Sequence, residues 1–478
     1  MSILHPAVKC LFLLLLSTCS ALASQVEAPK VRVVLGGTET ASVKVEGHFR
    51  KPTRAFSFLD SRAGFGGLSK RITNLRTYDG NGSVVPNRRT AVGAVFADVP
   101  LAWYSYVADL SPQSDVTLGA HVSWIADGKG MLMLADLLPN VVSQTGAVRL
   151  TLELPEGVTA VSNESNLPEG AYAVEAPSDA VFLIAPHIRR LEAKAKGSIL
   201  NLAIEDDWQF SDTLALKMSK DIFRLYEDVF DATPAKRVQI LLVRAPDEAM
   251  RDRWRAETRG STVVIVSSPS TYRNLGVQRF HEQLRHELLH LWIPNSLKLN
   301  GEYAWFYEGF VFYRALIAGM DLGQIRFRDV LGTLADAKRR SDRAGEWKAL
   351  AGLEGDRWTG STVYSRGTLA AFAADVSMIA GSRGKKDLDD VLKRVYRRAV
   401  RSDENPTANE FLIRGLSEWN ELRGLVNDSI RGDSAPDWRR ALELAGLSEM
   451  EGGRLAAVED PRSSQKAVLR RLGYNGGR

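Results

Sequence analysis

Residues His286-Glu287-Leu288-Leu289-His290 set two imidazoles four positions apart. On a helix that spacing puts both on one face, where they can share a metal ion. Glu287, next to the first histidine, is placed to take a proton from water that such a metal has made acidic. A second segment, Trp305-Phe306-Tyr307-Glu308-Gly309, puts Glu308 eighteen positions beyond His290. The interval leaves room for a turn and a returning helix. Glu308 then supplies a third ligand, completing the two-histidine, one-glutamate set of a catalytic Zn²⁺ site with its fourth position open. The bland alternative makes the histidines helix-face residues hydrogen-bonded to neighbours. Two features favour the metal site. Leu284, Leu288 and Leu291 form a separate apolar face, and Gly309 is slim enough for two helices to approach closely.

These residues need a scaffold. From about residue 31 to 204 the chain reads as short β-branched strands, such as Val31 to Leu35 and Val148 to Leu154, broken by turn clusters such as Asp79-Gly80-Asn81-Gly82. Near Asp212 the texture changes. A helical pattern covers 212–231, and two strand candidates follow at 238–243 and 262–266. Helices are then expected at roughly 278–292, 304–319, 325–338, 361–380, 386–399 and 407–418, with Asp387 and Pro406-Thr407 as starts and Gly381 and Gly446 as stops. The fold expected is α+β: an antiparallel, sandwich-like β domain over 24–205, a catalytic region with a helical C-terminal part over 206–447, and a loose polar tail over 448–478.

The chain has 478 residues, 45% apolar and 25% charged, which suits a globular protein of two or three domains. Its net charge of +5 is too dilute for nucleic-acid binding, and no basic run alternates with aromatics. Residues 1–23 read as an export leader: Lys9, the apolar run from Cys10 to Leu16, then Ala21-Leu22-Ala23 as a cleavage site. That apolar run is too short to span a bilayer. Export to a periplasm or the medium is therefore expected. A minority alternative makes Cys19 a lipid-anchor site. Cys10 and Cys19 are the two cysteines of the chain, so a mature form starting near Ser24 would have no disulfide and no thiolate ligand.

The run His286 to Trp292, followed by Trp305 to Phe310, resembles the gluzincin metallopeptidases, and most of all the glycyl aminopeptidase family, a relative of the alanyl aminopeptidases. Val363-Tyr364-Ser365-Arg366-Gly367 resembles that family's Tyr-x-Lys-Gly segment, and Leu388-Asp389-Asp390 its Leu-Asp-Asp helix. The resemblance spans about 210–447 and implies a thermolysin-like catalytic domain acting on peptides. It implies that His286, His290 and Glu308 hold Zn²⁺, that Glu287 is the general base, and that the Tyr364 hydroxyl stabilises the oxyanion. A core tyrosine on the 361–380 helix is the other reading of Tyr364.

The resemblance also implies a carboxylate that binds the substrate's α-amine, and Glu257 is the candidate. Here the family's Gly-x-Glu-His segment reads Arg255-Ala256-Glu257-Thr258. Arg366 stands where lysine is usual, and Ile293 where asparagine is common. An exported zinc aminopeptidase is the expectation. The alternatives are a zinc endopeptidase, or a catalytically weak binding or scaffold protein. His281 is expected on a helix surface.

Overall fold

The structure is a computed structural model that describes residues 28–474, apart from 38–39, 114–118, 143, 145, 247–252, 354–360 and 403–405. The leader expected over 1–23, with Cys10 and Cys19, lies outside the described residues. Among the described residues no helix is long and apolar enough to cross a membrane.

Three sheets stack in layers, with helices covering the last. The first has nine strands, all paired antiparallel except Lys30–Leu35 beside Val148–Glu153. The second has four, in the order Thr159–Val161, Val181–Ala185, Lys129–Met133, Trp124–Ala126. Side chains alternate across a strand, so Val181–Ala185 can serve two cores at once. Phe182 and Ile184 face the nine-stranded sheet, while Val181 and Leu183 face the third. This double burial explains an unbroken apolar run where a one-sided sheet would alternate.

The third sheet runs Ile188–Lys194, Ile199–Glu205, Arg237–Arg244, Thr262–Ser267, Arg255–Arg259, with the two middle pairings parallel. Leu241, Val243, Val264 and Val266 meet the four-stranded sheet, whereas Ile240, Leu242, Val263 and Ile265 join the helical core. This sheet holds strands from both sides of the boundary expected at 205. Residues 188–205 alternate like the strands before them, but Ile199–Glu205 pairs with Arg237–Arg244 and carries Ile188–Lys194 with it into the site-bearing sheet.

The helices largely follow their expected positions. Asp387 caps Leu388–Val400 by accepting a bond from the Asp389 nitrogen, and Gly446 ends Trp438–Ala445 at φ 69°. The tail differs. Residues 447–457 form a hairpin, and Ser463–Arg471 is a helix that buries Val468 and Leu469 in the helical core, with Leu472 just beyond its end. Arg471 then pairs with Asp389 at 2.9 Å and Asp387 at 3.5 Å, and Asp389 also pairs with the fully buried Arg314. Polar composition concealed a one-sided helix whose last arginine closes a buried charge network.

Candidate metal centre

The helix Arg273–His290 crosses the third sheet with Phe280, Leu284 and Leu288 in the core. That apolar stripe turns His286 and His290 away from the sheet, toward the segment Trp305–Phe310. This segment is a π-helical turn that runs on into Val311–Asp321. Such wide turns are a recurrent device for aiming one side chain off a helix, and here it delivers Glu308.

The three donor atoms meet. His286 Nε2 is 3.0 Å from His290 Nε2 and 3.2 Å from Glu308 Oε2, and His290 Nε2 is 3.7 Å from the same oxygen. Ligands about 2.0–2.1 Å from a tetrahedral Zn²⁺ stand about 3.3–3.5 Å apart. The residues present therefore fit that ion. They are the group of metal-ligating type found among the described residues. His290 Nδ1 lies 2.9 Å from the Ile293 carbonyl oxygen, to which it donates, leaving Nε2 turned toward the cluster. Position 293, where the sequence departs from the family, thus acts through its backbone.

Burial pushes the Glu308 carboxyl up, but the hydrogen bond with His286 and the His290 imidazole nearby outweigh it and hold the group well below the usual carboxylate range. Burial likewise lowers His290, yet the Glu308 carboxylate 3.7 Å away lifts it to about 9. A cation bound there must displace that proton, which links metal uptake to proton release.

Glu287 is buried beside the ligands. The Thr258 hydroxyl stands 2.8 Å from both the carbonyl oxygen and Oε2 of Glu287. Thr258 lies on Arg255–Arg259, the edge strand of the third sheet, and faces the helices together with its neighbour across the pair, Val263. Sequence reasoning noted Thr258 only as a replaced histidine; its contact with Glu287 spans 29 positions and leaves no local signal. Tyr364, on the helix Ser361–Gly381, sets its ring 6.0 Å from that of His286. Burial, with the Glu308 charge beside it, keeps its hydroxyl protonated far above the ordinary tyrosine range. Arg366 turns elsewhere, donating to the carbonyls of Gly345 and Glu346.

Glu257 departs from expectation. Strand alternation points it to the opposite side from Thr258, the side of Val264 and the four-stranded sheet. There its carboxylate is already engaged: Oε1 by Arg62, Oε2 by His121 at 2.8 Å and Arg259 at 3.1 Å. Burial pushes this carboxyl up, but Arg259 and then His121 bring it down to about 2. It is no open anchor. Arg62 and His121 come from the N-terminal domain, so neither was visible from the Glu257 segment. His281 is also corrected: it is 3% exposed, and desolvation lowers its pKa to about 3.

No protein-family model and no curated protein sequence matches the chain. Solved structures do. An aminopeptidase N family protein from Idiomarina loihiensis superposes with a TM-score of 0.73 at 17% identity, covering 88% of this chain and 78% of its own. A mutant M1 zinc metallopeptidase from Deinococcus radiodurans, bound to a Tyr-Ser-Ala substrate, gives 0.55 at 15% identity, covering 86% of this chain and 95% of its own. The unsubstituted Deinococcus radiodurans enzyme gives 0.52 at 14% identity, covering 85% and 92%. The chain thus has the fold of M1 zinc metallopeptidases: a sheet-rich N-terminal part and a helical C-terminal part. The narrower likeness to the glycyl family rests on the motifs alone.

Proposed function

We propose that this chain is a zinc-dependent peptidase. One observation carries the reading: three nitrogen and oxygen donors at tetrahedral spacing, with Glu287 beside them in the sequence and the Tyr364 ring 6.0 Å from that of His286. Zn²⁺ held by His286, His290 and Glu308 would polarise a peptide carbonyl and lower the pKa of water toward neutrality.

The chain's own residues do the rest. Glu287 takes the proton from the attacking water and passes it to the leaving amine. Thr258 holds one oxygen of that carboxylate, so the other keeps one orientation through the transfer. The Tyr364 hydroxyl stays protonated and donates to the oxygen on which negative charge develops. The strand Arg255–Arg259 has an open edge beside Glu287, where an extended peptide can add as a further strand. Peptides are the substrates this surface suits, and the leader-like first 23 residues support export.

Which end of the peptide is read depends on Glu257. Its engaged carboxylate favours cleavage that needs no free amino terminus over the aminopeptidase action expected from the sequence. The test of the peptidase reading is metal content together with hydrolysis of a fluorogenic peptide panel. About one zinc per chain and activity lost to chelation, then restored by Zn²⁺, support it. A metal-free protein that neither binds zinc nor cleaves any peptide when loaded overturns it.

A further inference from the structure

Glu257 and the three charged or titratable groups around it are unequal in their access to solvent. Arg259 keeps 3% of its side-chain surface, His121 11%, Glu257 12% and Arg62 30%. A substrate arriving from solvent therefore meets the Arg62 guanidinium before the carboxylate. Arg62 sits in the two-residue hairpin Ser61–Arg62 with Phe65–Gly66, an outgrowth of the N-terminal domain 195 positions from Glu257. The partition of the carboxylate is also specific. Oε2 is shared by the two inner groups, His121 and Arg259, while Oε1 is given to Arg62.

Glu257 is the one carboxylate on the edge strand Arg255–Arg259, adjacent in sequence to Thr258 and on the other face of the strand. An ammonium on a peptide lying along this strand has no other anionic partner in it. We propose that Arg62 occupies, from within the chain, the carboxylate oxygen that such an ammonium would need, and is therefore a specificity-determining residue that releases the enzyme from requiring a free amino terminus.

The proposal rests on the peptidase reading. Its physical basis is competition. A guanidinium tethered to the same chain acts at an effective concentration on the order of millimolar or more, so an incoming α-amine at lower concentration loses. Arg62 also presents a planar, multiply donating group, against the single point charge of an ammonium. The positive excess, two guanidiniums against one carboxylate, repels a further cation.

The test compares a peptide carrying a free amino terminus with its N-acetylated counterpart. Hydrolysis is measured in the zinc-loaded protein, and binding by calorimetry in a Glu287→Gln background. With Arg62 present, the two peptides should be cleaved and bound within about threefold of one another. Arg62→Met, which keeps the packing of the stem, and Arg62→Ala should each shift the ratio at least tenfold toward the free amine. Adding Glu257→Gln should cancel that shift. A wild type that rejects the acetylated peptide by more than tenfold, or a ratio unmoved by both Arg62 variants, overturns the proposal. The two readings fail separately. A shifted binding ratio without Glu287-dependent cleavage keeps the role of Arg62 and defeats the peptidase reading. Glu287-dependent cleavage with no shift keeps the peptidase reading and defeats the role of Arg62.

Discussion

Gly309 and Gly367 meet backbone to backbone: a β-carbon on Gly309 would collide with the α-carbon of Gly367 and lie 3.0 Å from the Thr368 nitrogen. Glu308 immediately precedes the first glycine, and Tyr364 lies one turn before the second. The crossing therefore brings the two side chains together. Gly309→Ala or Gly367→Ala forces the π-helical turn and the Tyr364 helix apart. We expect a stability loss of about 1–3 kcal/mol from overpacking backbone that cannot yield. Zinc affinity should fall with it, read by chemical denaturation and competitive chelation. Unchanged values for both would mean that the crossing does not set the site.

The bond from Thr258 to Glu287 joins the edge strand to the base. Thr258→Val keeps the branched shape and deletes the hydroxyl. A hydrogen bond to a charged group contributes about 1.5–3 kcal/mol, so kcat should fall about tenfold or more while zinc stoichiometry stays fixed and KM moves little. Thr258→Ser should restore most of the rate. Loss of zinc in Thr258→Val would assign Thr258 a structural role instead.

Tyr364 is expected to act only when charge develops. Tyr364→Phe should lower kcat by about a hundredfold, in the range seen for removal of one oxyanion donor, with little change in KM. Steady-state kinetics on one peptide decide it. A change confined to KM would return Tyr364 to the core-tyrosine reading.

Asp387 carries a pH prediction. Burial, with Asp389, Asp375 and Asp390 nearby, raises its pKa to about 6 from an ordinary 3.8, against the pull of Arg471. A carboxyl raised on folding leaves the fold unpenalised below about pH 4, and its ionisation then costs stability as the pH climbs through 6. Asn keeps the helix cap without that charge. Asp387→Asn should therefore match wild type at pH 4 and be more stable at pH 7.5, by about 1 kcal/mol after allowance for partial exposure. A gain that is the same at both pH values would contradict the assignment.

What could be read from the sequence was what is local. His286, Glu287 and His290 declare themselves by helical spacing, and Glu308 and Tyr364 by the short motifs around them. Helix limits at Asp387 and Gly446 follow from capping chemistry. What escaped depends on distant partners. Glu257 looked open because Arg62 and His121 lie 195 and 136 positions away, on another domain. The strands of 188–205 carry the same alternation whichever sheet they join. Ser463–Arg471 looked like a loose tail because its two core residues, Val468 and Leu469, are outnumbered by Lys466, Arg470 and Arg471, the last of which is the distant partner of Asp389.

The central claim is that Glu287 moves protons at a zinc centre built by His286, His290 and Glu308. Glu287→Gln removes the base while leaving the three donors and their spacing intact. Measured together on one preparation, zinc per chain and peptide turnover test it most directly. The account predicts about one zinc in both wild type and variant, with turnover reduced at least a thousandfold in the variant. Full turnover by the zinc-loaded variant would contradict it.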